Sequence, residues 1–262
     1  MNRVISPRIL GPVVVGVLAL ALWEAAVTWA GVPSYILPGP VLVARTLVQD
    51  WPTLAPALWI TLSITVQALI AAVVVGGLLA VLFAQSKWIE ASFYPYAVIL
   101  QVTPIVAIAP LIIAWANDID LSLLICAWIV AFFPILSNTI VGLSSVDRNL
   151  IELFELYGTG RWKTLLHLRL PAALPYFLAG LRISGGLALI GAVVAEFVAG
   201  SGGSASGLAF RILEAGYQLK VPRMFAALVL ISVTGIAIFL LLSLLSHLLL
   251  RRWHESALRP DG

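Results

Sequence analysis

Six stretches of this chain, at roughly 11–30, 57–84, 93–115, 121–142, 173–199 and 224–250, are apolar over about the ~20 residues that a helix needs to cross a bilayer. Such runs leave few options. A soluble domain of 262 residues that is 61% hydrophobic and 10% charged, with a mean hydropathy of +1.07, could not hide its apolar surface. In lipid the backbone must satisfy its own hydrogen bonds, which a helix does within one segment, and the runs lack the alternation of barrel strands. The expectation is an all-α polytopic membrane protein with six transmembrane helices, forming one domain over 1–262.

The first run follows Arg3 and Arg8, as a signal peptide would. It is longer than a signal core, carries Trp23 and Glu24, and no small-x-small cleavage site follows, so it reads as a retained helix. The second run is long enough to tilt or protrude. Cationic residues set the orientation. Arg3, Arg8, Lys87, Arg148, Arg161, Lys163, Arg169, Arg251, Arg252 and Arg259 fall on one side of the membrane. Arg45, Arg211, Lys220 and Arg223 fall on the other, and Arg182 lies within the fifth span. The richer side is cytoplasmic by the positive-inside rule, which places both termini there. A net charge of +3 is then topology signal and calls for no nucleic-acid partner.

The single cysteine, Cys126, excludes an internal disulfide and reads as a small core hydrophobe. His167, His247 and His254 show no metal-ligand spacing. The external connection 31–56 carries Pro33, Pro38 and Pro40 before a short amphipathic stretch ending near Asp50. A second external segment, 200–223, begins GSGGSASG and continues into an amphipathic stretch from Leu208 to Tyr217. It lacks the Lys-Ser/Thr ending of a phosphate-binding loop, so this chain does not hydrolyse ATP by such a loop and is not read as an enzyme. Pro95, Pro104 and Pro110 in the third span either shape the helix or line a path.

Charge is concentrated in one island, IELFELYGTGRWKTLLHLRLPAALPYFLAGLR, starting at Ile151. Two short helices fit it, from about Val146 to Tyr157 and from Arg161 to Leu168, with Gly158 and Gly160 at the turn. Trp162, Leu165, Leu166 and Leu170 share a face of the second, as in a helix resting among headgroups. Pro171 and Pro175 then turn the chain back into the bilayer. Glu152 precedes Gly158 by six positions, and after nine more residues comes Leu168-Arg169-Leu170-Pro171.

That spacing resembles the EAA loop of permease subunits of binding-protein-dependent ABC importers, Glu-Ala-Ala-x3-Gly-x9-Ile-x-Leu-Pro. It departs at Leu153 and Phe154, where the motif has alanine, and at Leu168, where it has isoleucine. Together with LPAALPYFLAGLRIS and GLALIGAVVAEFVAGSGG, the chain is similar over nearly its whole length to the nitrate/sulfonate/taurine branch. The resemblance implies a type I ABC importer permease core in the bacterial inner membrane. Its implied partners are a second permease copy, two cytoplasmic ATPase subunits that bind ATP and Mg, and an extracytoplasmic solute-binding protein; this chain itself needs no cofactor. The 146–171 segment would be the coupling loop, with Glu152, Leu153, Phe154, Glu155, Gly158, Gly160, Arg161, Leu168, Leu170 and Pro171 meeting the ATPase.

Polar groups inside spans are costly and point to a site. Gln101, Thr103 and Pro104, Asn138, Arg182 and Glu196 are therefore candidates for the translocation path. Arg182 and Glu196 lie fourteen residues apart, about 21 Å along a helix, too far to pair. Glu196 reads equally as a gate or as a structural hydrogen bond. The implied solute is a small anion such as a sulfonate, taurine or nitrate; a thiamine-precursor pyrimidine, another heteroaromatic or an aromatic carboxylate remains the alternative. A secondary transporter would need inverted repeats with broken helices, and these are not found in the sequence.

Overall fold

The computed structural model describes residues 7–200 and 206–251. The rest of the Gly-Ser run, together with Arg3, Arg252, His254 and Arg259, lies outside them. The described residues form helices and no strand: α1 (Pro7–Trp29), α2 (Pro40–Gln49), α3 (Trp51–Gln85), α4 (Lys87–Val102), α5 (Ile105–Ala116), α6 (Ile119–Ser144), α7 (Arg148–Leu156), α8 (Arg161–Thr164), α9 (Leu170–Ala199), α10 (Leu208–Tyr217) and α11 (Val221–Leu250). Five helical stretches can each cross a membrane, and the bent pair α4–α5 makes a sixth.

The centre of the bundle is the antiparallel pair α6–α9, with α3 laid against it. Lipid tails are as apolar as leucine, so close approach of backbones must hold such helices together. The sequence supplies it with small residues in register. Gly142 meets Ala173, Gly180 meets the Pro134 carbonyl, and Gly191 meets Ala127, each so closely that a Cβ would clash. Between them Ser184 Oγ donates to the Ala131 carbonyl at 2.6 Å. Gly76 brings α3 onto Ile135 in the same way.

Two expectations change. The third span is not one helix over 93–115. It breaks after Val102, and α4 and α5 meet at 101°. Pro104 has no N–H to donate to the Leu100 carbonyl, and the Thr103 amide and hydroxyl both close on the Ile99 carbonyl, the hydroxyl at 2.7 Å. The second change lies at Pro171 and Pro175, where the chain does not turn. Helix α8 ends at Thr164, short of the expected Leu168, and a π-helical turn over Leu165–Arg169 leads straight into α9. The wider turn accommodates the proline ring without breaking the rod, because a π-bulge already displaces the i−4 carbonyl partner. Arg161–Ala199 is thus a continuous 39-residue helical rod.

Candidate functional site

Residues 146–171 sit at one end of the bundle, beside the end of α3 and the start of α4. Asp147 caps α7 by accepting from the Asn149 amide at 2.9 Å. One turn later Arg148 and Glu152 form an exposed i,i+4 pair at 3.3 Å. Gly158 ends the helix with φ +67. Its amide donates to the Glu155 carbonyl at 2.9 Å, and the Thr159 amide donates to the Phe154 carbonyl at 3.0 Å. This is a Schellman closure, and it requires the left-handed conformation that glycine adopts freely. The sequence reading of Gly158 as the turn residue therefore has a specific bond pattern behind it.

Besides their charged residues, α7 and α8 leave large apolar side chains uncovered. Leu153 is 44% exposed, Leu156 85%, Tyr157 80% and Trp162 69%. Phe154 is partly covered, while Glu155 and Gly160 face solvent, as does Arg161. The π turn and the start of α9 carry Leu168, Leu170 and Pro171, all half-buried. Arg169 reaches back to donate to the Ala84 carbonyl at 3.3 Å, tying this segment to the end of α3.

The candidate path residues do not form a single group. Gln101, Thr103 and Pro104 line a cleft of about 330 Å3 at the α4–α5 break, closed by Ile129, Val130 and Pro134 of α6 and Leu187 of α9. Arg182 lies at the same depth, because its neighbours Gly180 and Ser184 contact Pro134 and Ala131, the middle of α6. Its side chain is exposed and makes no hydrogen bond or ion pair among the described residues. None of the ion pairs among the described residues involves it. Asn138 is turned onto its own helix, donating to the Pro134 carbonyl at 2.8 Å.

Glu196 is elsewhere, at the far end of α9 and 3% exposed. One carboxylate oxygen accepts from Thr61 Oγ1 at 2.7 Å and the other from the Ala209 amide at 2.9 Å. Thr61 Oγ1 in turn accepts from the Leu208 amide at 2.9 Å. The carboxylate thus caps α10 and binds it to α3, and Gly207 is where it must pass, since a Cβ there would overlap it. Sequence reasoning missed the same device at Glu24. That acid accepts from the Val41 amide at 3.1 Å, with Gly39 pressed against its carboxylate, and so caps α2. The Gly-Pro start of α2 opposite a lone acid in a span was the available signal.

A model of the binding-protein-dependent transport system inner membrane component matches residues 72–256. The chain is 36% identical to a riboflavin transport system permease protein of Chloroflexus aurantiacus, over 96% of this chain and 97% of that one. It is 32% identical to a formylaminopyrimidine transport permease of Halalkalibacterium halodurans, over 94% and 96%. A putative aliphatic sulfonates permease of Bacillus subtilis is 29% identical, over 90% and 85%. Among solved structures, an inward-facing MetNI methionine ABC transporter superposes with a TM-score of 0.61 at 18% identity, covering 74% of this chain and 94% of that one, which is a likeness of fold.

Proposed function

The chain belongs to the binding-protein-dependent transport system inner membrane components, the permease subunits of ABC importers, and we propose that it works as one half of a permease homodimer. Two cytoplasmic ATPase subunits close on the 146–171 segment, and a solute-binding protein delivers cargo to the opposite face. The observation that carries this reading is the capped, outward-facing α7, linked by the Gly158 turn to α8, which runs without a break into a central transmembrane rod. The ten-to-four bias of cationic residues supports a cytoplasmic position for this end and for both termini.

Mechanically, an ATPase that moves α8 moves α9, because the π turn makes the two one rod, and α7 is tied to α8 through the short Gly158 turn. The interlocked small residues of α6 follow. Helix α9 carries Arg182 at mid-membrane and Glu196 at the outer latch, so one rotation reaches both the path and the external cover. The test is ATP-driven uptake in vesicles holding permease, ATPase and binding protein. Gly158→Val and Glu152→Arg should insert normally yet fail to co-purify with the ATPase; normal co-purification and uptake in both would overturn the coupling role.

The solute we assign to this path is a small organic or inorganic anion, a class that includes sulfonates. Arg182 supports it: an uncompensated cation in low dielectric gains most from an anionic ligand. The riboflavin and formylaminopyrimidine names among the relatives favour a second reading, a heteroaromatic solute. Arg182→Met separates them. Loss of uptake of an anion with retained assembly supports the first, and unchanged uptake of a neutral heteroaromatic supports the second.

A further inference from the structure

A cleft of about 350 Å3 opens between the α3–α4 junction and the segment running from α7 to the π turn. Three cations line it, each from a different element: Lys87 from α4, Arg161 from α8 and Arg169 from the π turn. Glu155 is the one acid there. The side chains of Lys87, Arg161 and Glu155 make no hydrogen bond or ion pair among the described residues, and Arg169 commits one N–H to Ala84. Gathered like charges repel, and an anion seated among them offsets that repulsion. Arginine forks suit phosphate oxygens in particular.

The depth of the cleft is marked by two tryptophans. Trp88 follows Lys87 and is 77% exposed; Trp162 follows Arg161 and is 69% exposed. Indole rings beside cations are the signature of the membrane–water interface. We propose that this cleft seats the phosphate headgroup of an anionic phospholipid, wedged between the α3–α4 junction and the coupling segment. A free phosphate ester offers the same oxygens but nothing to lie along the tryptophan-flanked membrane face, so the lipid is the source assigned. A lipid seated there braces α8 and the π turn against α3, and thereby sets how firmly ATPase movement is passed to α9. That consequence rests on the reading of 146–171 as the ATPase-docking segment; the lipid site does not.

The test uses the permease–ATPase complex in nanodiscs of phosphatidylcholine with increasing phosphatidylglycerol, reading ATP hydrolysis, and native mass spectrometry of the permease alone, reading retained lipid. Wild type should retain phosphatidylglycerol and respond to it. Lys87→Gln should need about fivefold more, the equivalent of ~1 kcal/mol per cation near a charged surface, with hydrolysis in pure phosphatidylcholine unchanged. Arg169→Gln should shift it in the same direction. Glycerol phosphate added to phosphatidylcholine discs should have no effect; full substitution by it would overturn the lipid source. Equal lipid retention by wild type and both variants would overturn the site. Loss of ATPase subunits from Lys87→Gln in pure phosphatidylcholine would show an ATPase contact instead. Should the coupling reading itself fail, hydrolysis by the complex would not respond to phosphatidylglycerol, while retention by the permease alone would still be measured.

Discussion

On the α10 side of the bundle four acids are committed: Glu24 caps α2, Glu196 caps α10, Asp50 pairs with Arg223 at 2.5 Å, and Glu214 pairs with Arg211 at 2.8 Å. Where α7 begins, Glu155, Arg161 and Lys163 have no side-chain partner, and the pair Arg148–Glu152 is open to solvent, with side chains 91% and 59% exposed. Helices of similar length are thus finished in opposite ways. At the α10 end a first-turn amide of each of α2 and α10 is satisfied by a carboxylate from a span, so the short helices are fixed to the bundle. At the α7 end the short helix caps itself through Asp147 and Gly158, and its apolar side chains stay uncovered. A surface completed by the chain is built to stay in place relative to its spans. One left incomplete is built to be completed by another subunit.

The comparison breaks first at Glu196. Replacing it with alanine leaves the Thr61 hydroxyl and the Ala209 amide buried without their acceptor, and should cost about 3 kcal/mol. Glutamine, which keeps an acceptor, should cost about 1 kcal/mol. Thermal unfolding of the reconstituted permease measures both, and equal melting of Glu196→Ala and wild type would remove the latch. Gly158→Val ranks next, at about 1–2 kcal/mol for a β-branched residue held at positive φ. Its effect should be local to α7 and α8 and should appear as lost ATPase co-purification. Asp50→Asn weakens a largely covered pair and should cost about 1 kcal/mol, read in the same melts. Smallest of all is Glu152→Gln. Its exposed helical pair contributes under about 0.5 kcal/mol to folding, so its melting should match wild type while ATPase binding falls. That split between stability and docking is what distinguishes the two ends.

Much of the fold was legible because bilayer physics writes long apolar runs into the sequence. The α10 bounds and the glycine turn at Gly158 could also be read, since turn chemistry is local. What could not be read depends on contacts between distant segments. Glu196 stood equally as gate or bond until Thr61, 135 residues away, was placed beside it. Pro104 and Pro171 look alike in sequence, yet the first breaks its span by 101° while the second continues a rod. The difference lies in what surrounds each: a π turn absorbs Pro171, whereas a Thr103 cap and an open cleft meet Pro104. Arg182 was visible as an oddity. Its depth became clear only from the register of α9 on α6.

The central claim is that the α7 end is the surface on which the ATPase docks, whereas α10 is fixed to its own bundle. Hydrogen–deuterium exchange of the reconstituted permease, with and without its ATPase subunits, tests it directly. The account predicts slowed exchange across Arg148–Leu156 and Arg161–Thr164 when the ATPase binds, with Leu208–Tyr217 slow and unchanged in both states. Unchanged exchange at 148–164 in a complex that hydrolyses ATP would contradict it.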